Sequence, residues 1–149
     1  MEKDETKLDY QELFVKEREE WKEKIRSLAE NIRAINTVAK AQVDLFTQRQ
    51  VLLEYSYKLA SIVTKLNTKI RSENTRLLRH YSENNDVRYQ ANEKKVLIEG
   101  DISHLSEKVD LVESHRKFID QTIQTVDHML YGIKSRIALE EYLRASTIK

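Results

Sequence analysis

The stretch ISHLSEKVDLVESHRKFIDQTIQTVDHMLYGIKSRIALE, residues 102–140, decides the fold. Along it Ile102, Leu105, Val109, Val112, Arg116, Ile119, Ile123, Val126, Leu130, Ile133, Ile137 and Glu140 follow one another at alternating intervals of three and four, and ten of the twelve are apolar, which marks one continuous helix seam. A seven-residue repeat falls short of the natural 3.6 residues per turn, so partner helices are expected to wind around this one in a left-handed sense. The seam's isoleucine, valine and leucine do not set how many helices meet. Arg116 is read as a snorkelling side chain in preference to a register-setting polar residue. Ile119, Ile123, Val126, Leu130, Ile133 and Ile137 are expected to carry self-association.

Upstream of the seam, Gly100-Asp101 offers a helix start, with Asp101 or Ser103 able to cap free backbone amides. Before it, Tyr81 to Glu93 is the most polar uninterrupted stretch and holds the Asn and Asp residues that favour turns. A second seam runs through Leu52, Tyr55, Leu59, Ile62, Leu66, Ile70 and Leu77, and a first through Phe14, Trp21, Ile25, Leu28, Ile32, Ile35, Ala39 and Phe46. The first reads as one helix over about residues 5–46. Neither proline nor glycine separates the two seams, so one bent helix and two helices both remain open. The organisation expected is a helical region over 1–81 with a central basic helix at about 52–80, a polar connector over 82–100, and a heptad helix over 101–149.

Composition agrees with long helices. The chain of 149 residues has no proline, no cysteine and two glycines, leaving little to break a helix. Charged residues at 34% and hydrophobic ones at 40%, with only 7% aromatic, are the proportions of coiled coils and bundles, where burial comes from helix seams. The class expected is all-α: long amphipathic, coiled-coil helices in a homo-oligomer. Net charge is +1, so bulk attraction to nucleic acid or anionic membrane does not follow from totals. Without cysteine there is neither disulfide nor thiol chemistry. Neither a signal peptide nor a transmembrane run stands out, and a soluble cytoplasmic protein is expected.

Catalytic signatures are missing. His80, His104, His115 and His128 form no metal-protease spacing, and Gly100 and Gly132 are too far apart for a phosphate loop. Carboxylates lie among lysines and arginines, where solvation and ion pairing are their usual role. A protein that is not an enzyme and needs no cofactor or metal is expected.

One segment departs from the balanced charge. Between Ser56 and His80, Lys58, Lys65, Lys69, Arg71, Arg76 and Arg79 stand against a single acid, Glu73. At about 100° per residue, Lys58, Lys65, Lys69 and Arg76 fall within roughly 40° of one another, about 100° from the Leu59, Leu66, Ile70 and Leu77 stripe. The helix buries one flank and presents a basic ridge of about 27 Å on the next. Thr64, Asn67, Thr68, Ser72, Asn74 and Thr75 add donors suited to phosphate, and Tyr81 or Tyr57 is placed to stack on bases. Such a ridge suits a nucleic-acid backbone or an acidic helix, including the N-terminal segment, where the first 24 residues hold nine Asp or Glu against six Lys or Arg. Repetition around an oligomer would raise its avidity.

The basic helix ending in Thr75-Arg-Leu-Leu-Arg-His-Tyr-Ser82, the polar connector, and Lys94-Lys-Val-Leu-Ile-Glu-Gly-Asp101 resemble the UvsY family of T-even phage recombination mediators. The segment Phe118 to Glu140, with Tyr131 two residues before Ile133-Lys134, is similar to that family's C-terminal helix. The resemblance covers roughly residues 75–144. It implies a ring-like homo-oligomer that binds single-stranded DNA and helps a RecA-like recombinase displace the single-strand-binding protein, in the cytoplasm of an infected bacterial host if phage-encoded. It also implies that Arg76 and Arg79, nearest to the Tyr-Ser element, contact DNA. Asn74 or Thr75 stands where the family has a lysine, and His80 and Glu83 replace a tyrosine and a glycine. The alternative is a coiled-coil structural or adaptor protein with no nucleic-acid ligand.

Overall fold

The computed structural model describes residues 9–83 and 88–147, apart from the side chain of Ile35. The described residues are all helical or in short connections, without a strand: α1 (Tyr10–Arg33), a 3₁₀ turn (Ile35–Thr37), α2 (Val38–Glu83) and α3 (Ala91–Thr147). At the start of α1 the Asp9 carboxylate accepts the backbone N–H of Glu12 at 3.3 Å, satisfying one of the amides that a helix start leaves free. None of the described helices is long and apolar enough to cross a membrane.

Two helices, not one, precede the connector. Ala34 adopts an extended backbone, φ −90° and ψ 125°, and ends the first seam. The Thr37 hydroxyl donates to the carbonyls of Asn31 and Ala34, and the Thr37 N–H donates to Ala34 at 3.1 Å. These local bonds give the chain a partner other than the helical ladder, so a break forms without proline or glycine. The expected continuous helix over 5–46 is corrected accordingly. Phe46, placed in its seam, is 56% exposed because the break resets the helical phase. The Ile35 side chain in that seam lies outside the described residues.

The start of the last helix is also corrected. It begins at Ala91, nine residues before Gly100, because Glu93 reaches back to accept the Gln90 N–H at 3.2 Å and Lys94 N–H bonds the Gln90 carbonyl at 3.0 Å. Ser103 donates to the Gly100 carbonyl inside the helix and caps nothing. The connector is therefore shorter than 82–100; its Asn84, Asn85, Asp86 and Val87 lie outside the described residues.

The chain divides into two compact units. One comprises Leu13–Tyr57 and Lys117–Lys149. Its core repeats every seven residues on each helix: Phe14, Trp21 and Leu28 on α1, Leu45 and Leu52 on α2, and Ile119, Val126 and Ile133 on α3, all buried. Ser56 donates to Asp120 at 2.7 Å and Arg49 to Asp127 at 2.6 Å. Seven residues back on α2 match seven forward on α3, so the two run antiparallel in heptad register. Arg136 ties α3 to the end of α1 by donating to the Ile32 carbonyl at 2.7 Å, and Tyr55 on α2 donates to Glu17 on α1. The result is an up-down-up three-helix packing.

The other unit comprises Lys58–Arg116 with the N-terminal residues through Glu12. Its main body is a helical hairpin. Leu59, Ile62, Val63, Leu66 and Leu77 of α2 and Ile98, Ile102, Leu105 and Val112 of α3 are buried. Near the connector, Leu77, Ile98 and Ile102 form a cluster against which Ile70 and Tyr81 pack. His115 and Tyr10 are buried in this unit as well.

Candidate nucleic-acid interface

The basic segment lies within the hairpin unit, on α2. Lys58, Lys65, Lys69, Arg71, Arg76 and Arg79 are all exposed, while Leu59, Leu66 and Leu77 are buried, the division of flanks expected from helical spacing. The same geometry separates two members of the set. Lys58, Lys65, Lys69 and Arg76 share one line along the helix; Arg79 stands about 60° to one side, and Arg71 about 140° away on the far flank of the buried stripe. Arg71 is thus no part of the ridge.

Electrostatically the ridge is mostly free. Among the described residues, Lys58, Lys65, Lys69, Arg71 and Arg79 take part in no ion pair, whereas Arg76 is held by Glu73, with Nη2 at 2.8 Å and Nε at 3.1 Å. The hydrogen bond from Arg76 holds the Glu73 carboxyl below its ordinary range, and the same bond pushes the guanidinium up. Glu73 therefore stays charged and cancels one ridge cation. The acidic α1 spends part of its charge internally: Glu19 pairs with Lys22 at 3.2 Å and Glu23 with Arg26 at 2.9 Å.

Several expected accessory groups have other partners. The hydroxyls of Thr64, Thr68 and Thr75 donate to the carbonyls four residues earlier, at 3.0 to 3.1 Å, which takes up the hydrogens assigned to phosphate. Tyr81 is only partly exposed. Its ring packs on the Leu77, Ile98 and Ile102 cluster, meets His80 and Tyr89 edge-on at 5.2 and 5.6 Å, and its hydroxyl donates to Asp101. That bond raises the Tyr81 hydroxyl above its ordinary pKa. Tyr81 locks the hairpin instead of standing open on the ridge. Tyr57 is 72% exposed, and belongs to the other unit. Ser72, Thr75, Arg76, Arg79, His80 and Glu83 border a shallow polar recess at the ridge's end.

The residues expected to assemble copies are placed inside the three-helix unit. Ile119, Val126 and Ile133 have no exposed surface, Ile123 is 8% exposed and Leu130 is half-buried. Only Ile137, at 38%, is open. It is followed by exposed Leu139, Tyr142 and Leu143, which helical spacing alone places off the seam. Their i, i+3, i+4 pattern is a second apolar signal that the dominant seam obscures. Among the described residues, no three His, Asp or Glu side chains come together as a metal site.

No family model, no curated protein and no solved structure matches the chain.

Proposed function

We propose that this protein is a recombination mediator that binds single-stranded DNA as a homo-oligomer and helps load a RecA-like recombinase in place of single-strand-binding protein. The observation that carries the reading is the row of Lys58, Lys65 and Lys69, exposed and without an ion-pair partner among the described residues, extended by Arg76 on the same line. Free lysines spaced along about 16 Å of helix, with Arg76 about 11 Å further on, suit a phosphate backbone and gain from counterion release. The resemblance of residues 75–144 to the UvsY family gives the ligand and the process. Copies would meet through Ile137, Leu139, Tyr142 and Leu143, since the remaining seam is covered within one chain. The mechanism is binding without turnover: assembly gathers several weak ridges into one track.

Anisotropy of labelled oligo-dT across a salt series tests this. A single strand gives a slope of log affinity on log salt of about −0.7 per phosphate neutralised, so the three free lysines give about −2 per chain, Arg76 being offset by Glu73. No binding at low salt overturns the proposal.

A further inference from the structure

The hairpin unit has a second surface, across the buried stripe from the ridge. Asn74 and Leu78 of α2, with Ala91, Lys94, Lys95, Ile98, Glu99 and Ile102 of α3, line an open groove between the two helices. Leu78 forms one wall and is 52% exposed, a large apolar side chain left open beside the nearly covered Ile98 and Ile102. In the other unit the pairing of α2 and α3 is completed by a third helix, α1; among the described residues, this stretch of the hairpin shows its two helices and no third. A groove between two antiparallel helices with an apolar floor is the shape that receives an amphipathic helix.

The rim selects the occupant. Lys94 and Lys95 stand on the α3 side; Lys94 reaches Ser82 at 3.4 Å, and Lys95 has no ion-pair partner among the described residues. On the α2 side, Arg71 lies one turn before Asn74 and two before Leu78, on the same flank, and is also unpaired among the described residues. Glu99 is the one acid among the described lining residues. Two lysines against one carboxylate on the described lining, with Arg71 one turn beyond it, complement an acidic amphipathic helix and repel a basic one.

We infer that the groove between the end of α2 and the start of α3 is a docking site for an acidic amphipathic helical segment of a partner protein. Leu78, Ile98 and Ile102 take its apolar stripe, and Arg71, Lys94 and Lys95 face its carboxylates. The site stands whether or not the ridge binds DNA, because the two occupy opposite flanks of α2.

The test uses the full chain and two labelled helical peptides with one apolar pattern, Leu or Ile at i, i+3, i+4 and i+7, one flanked by Glu and the other by Lys. The Glu peptide is expected to bind about tenfold or more tighter than the Lys peptide. Leu78→Asp should weaken it about tenfold, with helical circular dichroism unchanged because the side chain is half open. Lys95→Glu should reduce the preference for the Glu peptide. Equal binding of both peptides, binding of neither, or indifference to Leu78→Asp overturns the assignment. A fall in native mass on Leu78→Asp also overturns it, since the occupant is then a second copy of this chain.

Discussion

Replacing Ile119 by alanine separates two roles for the C-terminal seam. Ile119 has no exposed surface in the single chain and stands one heptad from Val126 and two from Ile133, which are equally buried. Removing its outer carbons costs their transfer free energy and leaves a cavity that rigid helices only partly close, about 2 to 5 kcal/mol. For a protein of this size each kcal/mol moves the melting temperature by about 2–4 °C. Ile119→Ala is thus expected to melt roughly 5–20 °C lower by circular dichroism at fixed protein concentration. Leu143→Asp, at 53% exposure, should melt within a degree or two of the parent's own folded unit yet reduce native mass. If Ile119→Ala instead keeps its melting temperature and loses mass, Ile119 faces another copy and not its own chain.

Three further outcomes follow from named groups. Glu73→Gln frees Arg76 and removes the only acid within the basic segment, so oligo-dT affinity at low salt should rise about threefold, the effect of one charge at roughly 6 Å in water; unchanged affinity would remove Arg76 from the interface. Gly100 and Gly132 are helical, and a Cβ at either meets nothing within 4 Å. Each Gly→Ala change should therefore stabilise by up to about 1 kcal/mol, read as a higher melting temperature. Tyr81 carries a raised pKa because its hydroxyl donates to Asp101. The bond's stabilisation is complete below the ordinary tyrosine pKa and is lost as pH rises through the raised one. Tyr81→Phe should remove one late-titrating tyrosine from the phenolate absorbance curve.

Period was the legible part of this fold. Ile119, Ile123, Val126 and Ile133 lie in the core because a seven-residue apolar repeat must face other helices. Whether those helices belong to the same chain is a question of topology, and spacing carries no information on it. The break at Ala34 was hidden for a different reason: it depends on the Thr37 hydroxyl reaching carbonyls up to six residues away, in a segment with no proline or glycine. Gly100 misled in the opposite direction, since a glycine costs a long helix only about 1 kcal/mol and Glu93 supplies the start upstream. At the candidate interface, the ridge of Lys58, Lys65, Lys69 and Arg76 followed from angular spacing alone. The engagement of Arg76 by Glu73, of Tyr81 by Asp101, and of three threonine hydroxyls by their own helix are contacts that composition does not specify.

The role proposed for the ridge on α2 is to hold single-stranded DNA. Its most direct test is the salt slope of oligo-dT binding for the parent chain beside a Lys65→Ala, Lys69→Ala, Arg76→Ala variant of equal native mass. Two of the three free lysines are then gone, with Arg76 already offset by Glu73, so the slope should shallow by about 1.4 per chain as affinity falls. An unchanged slope at unchanged mass would contradict the account.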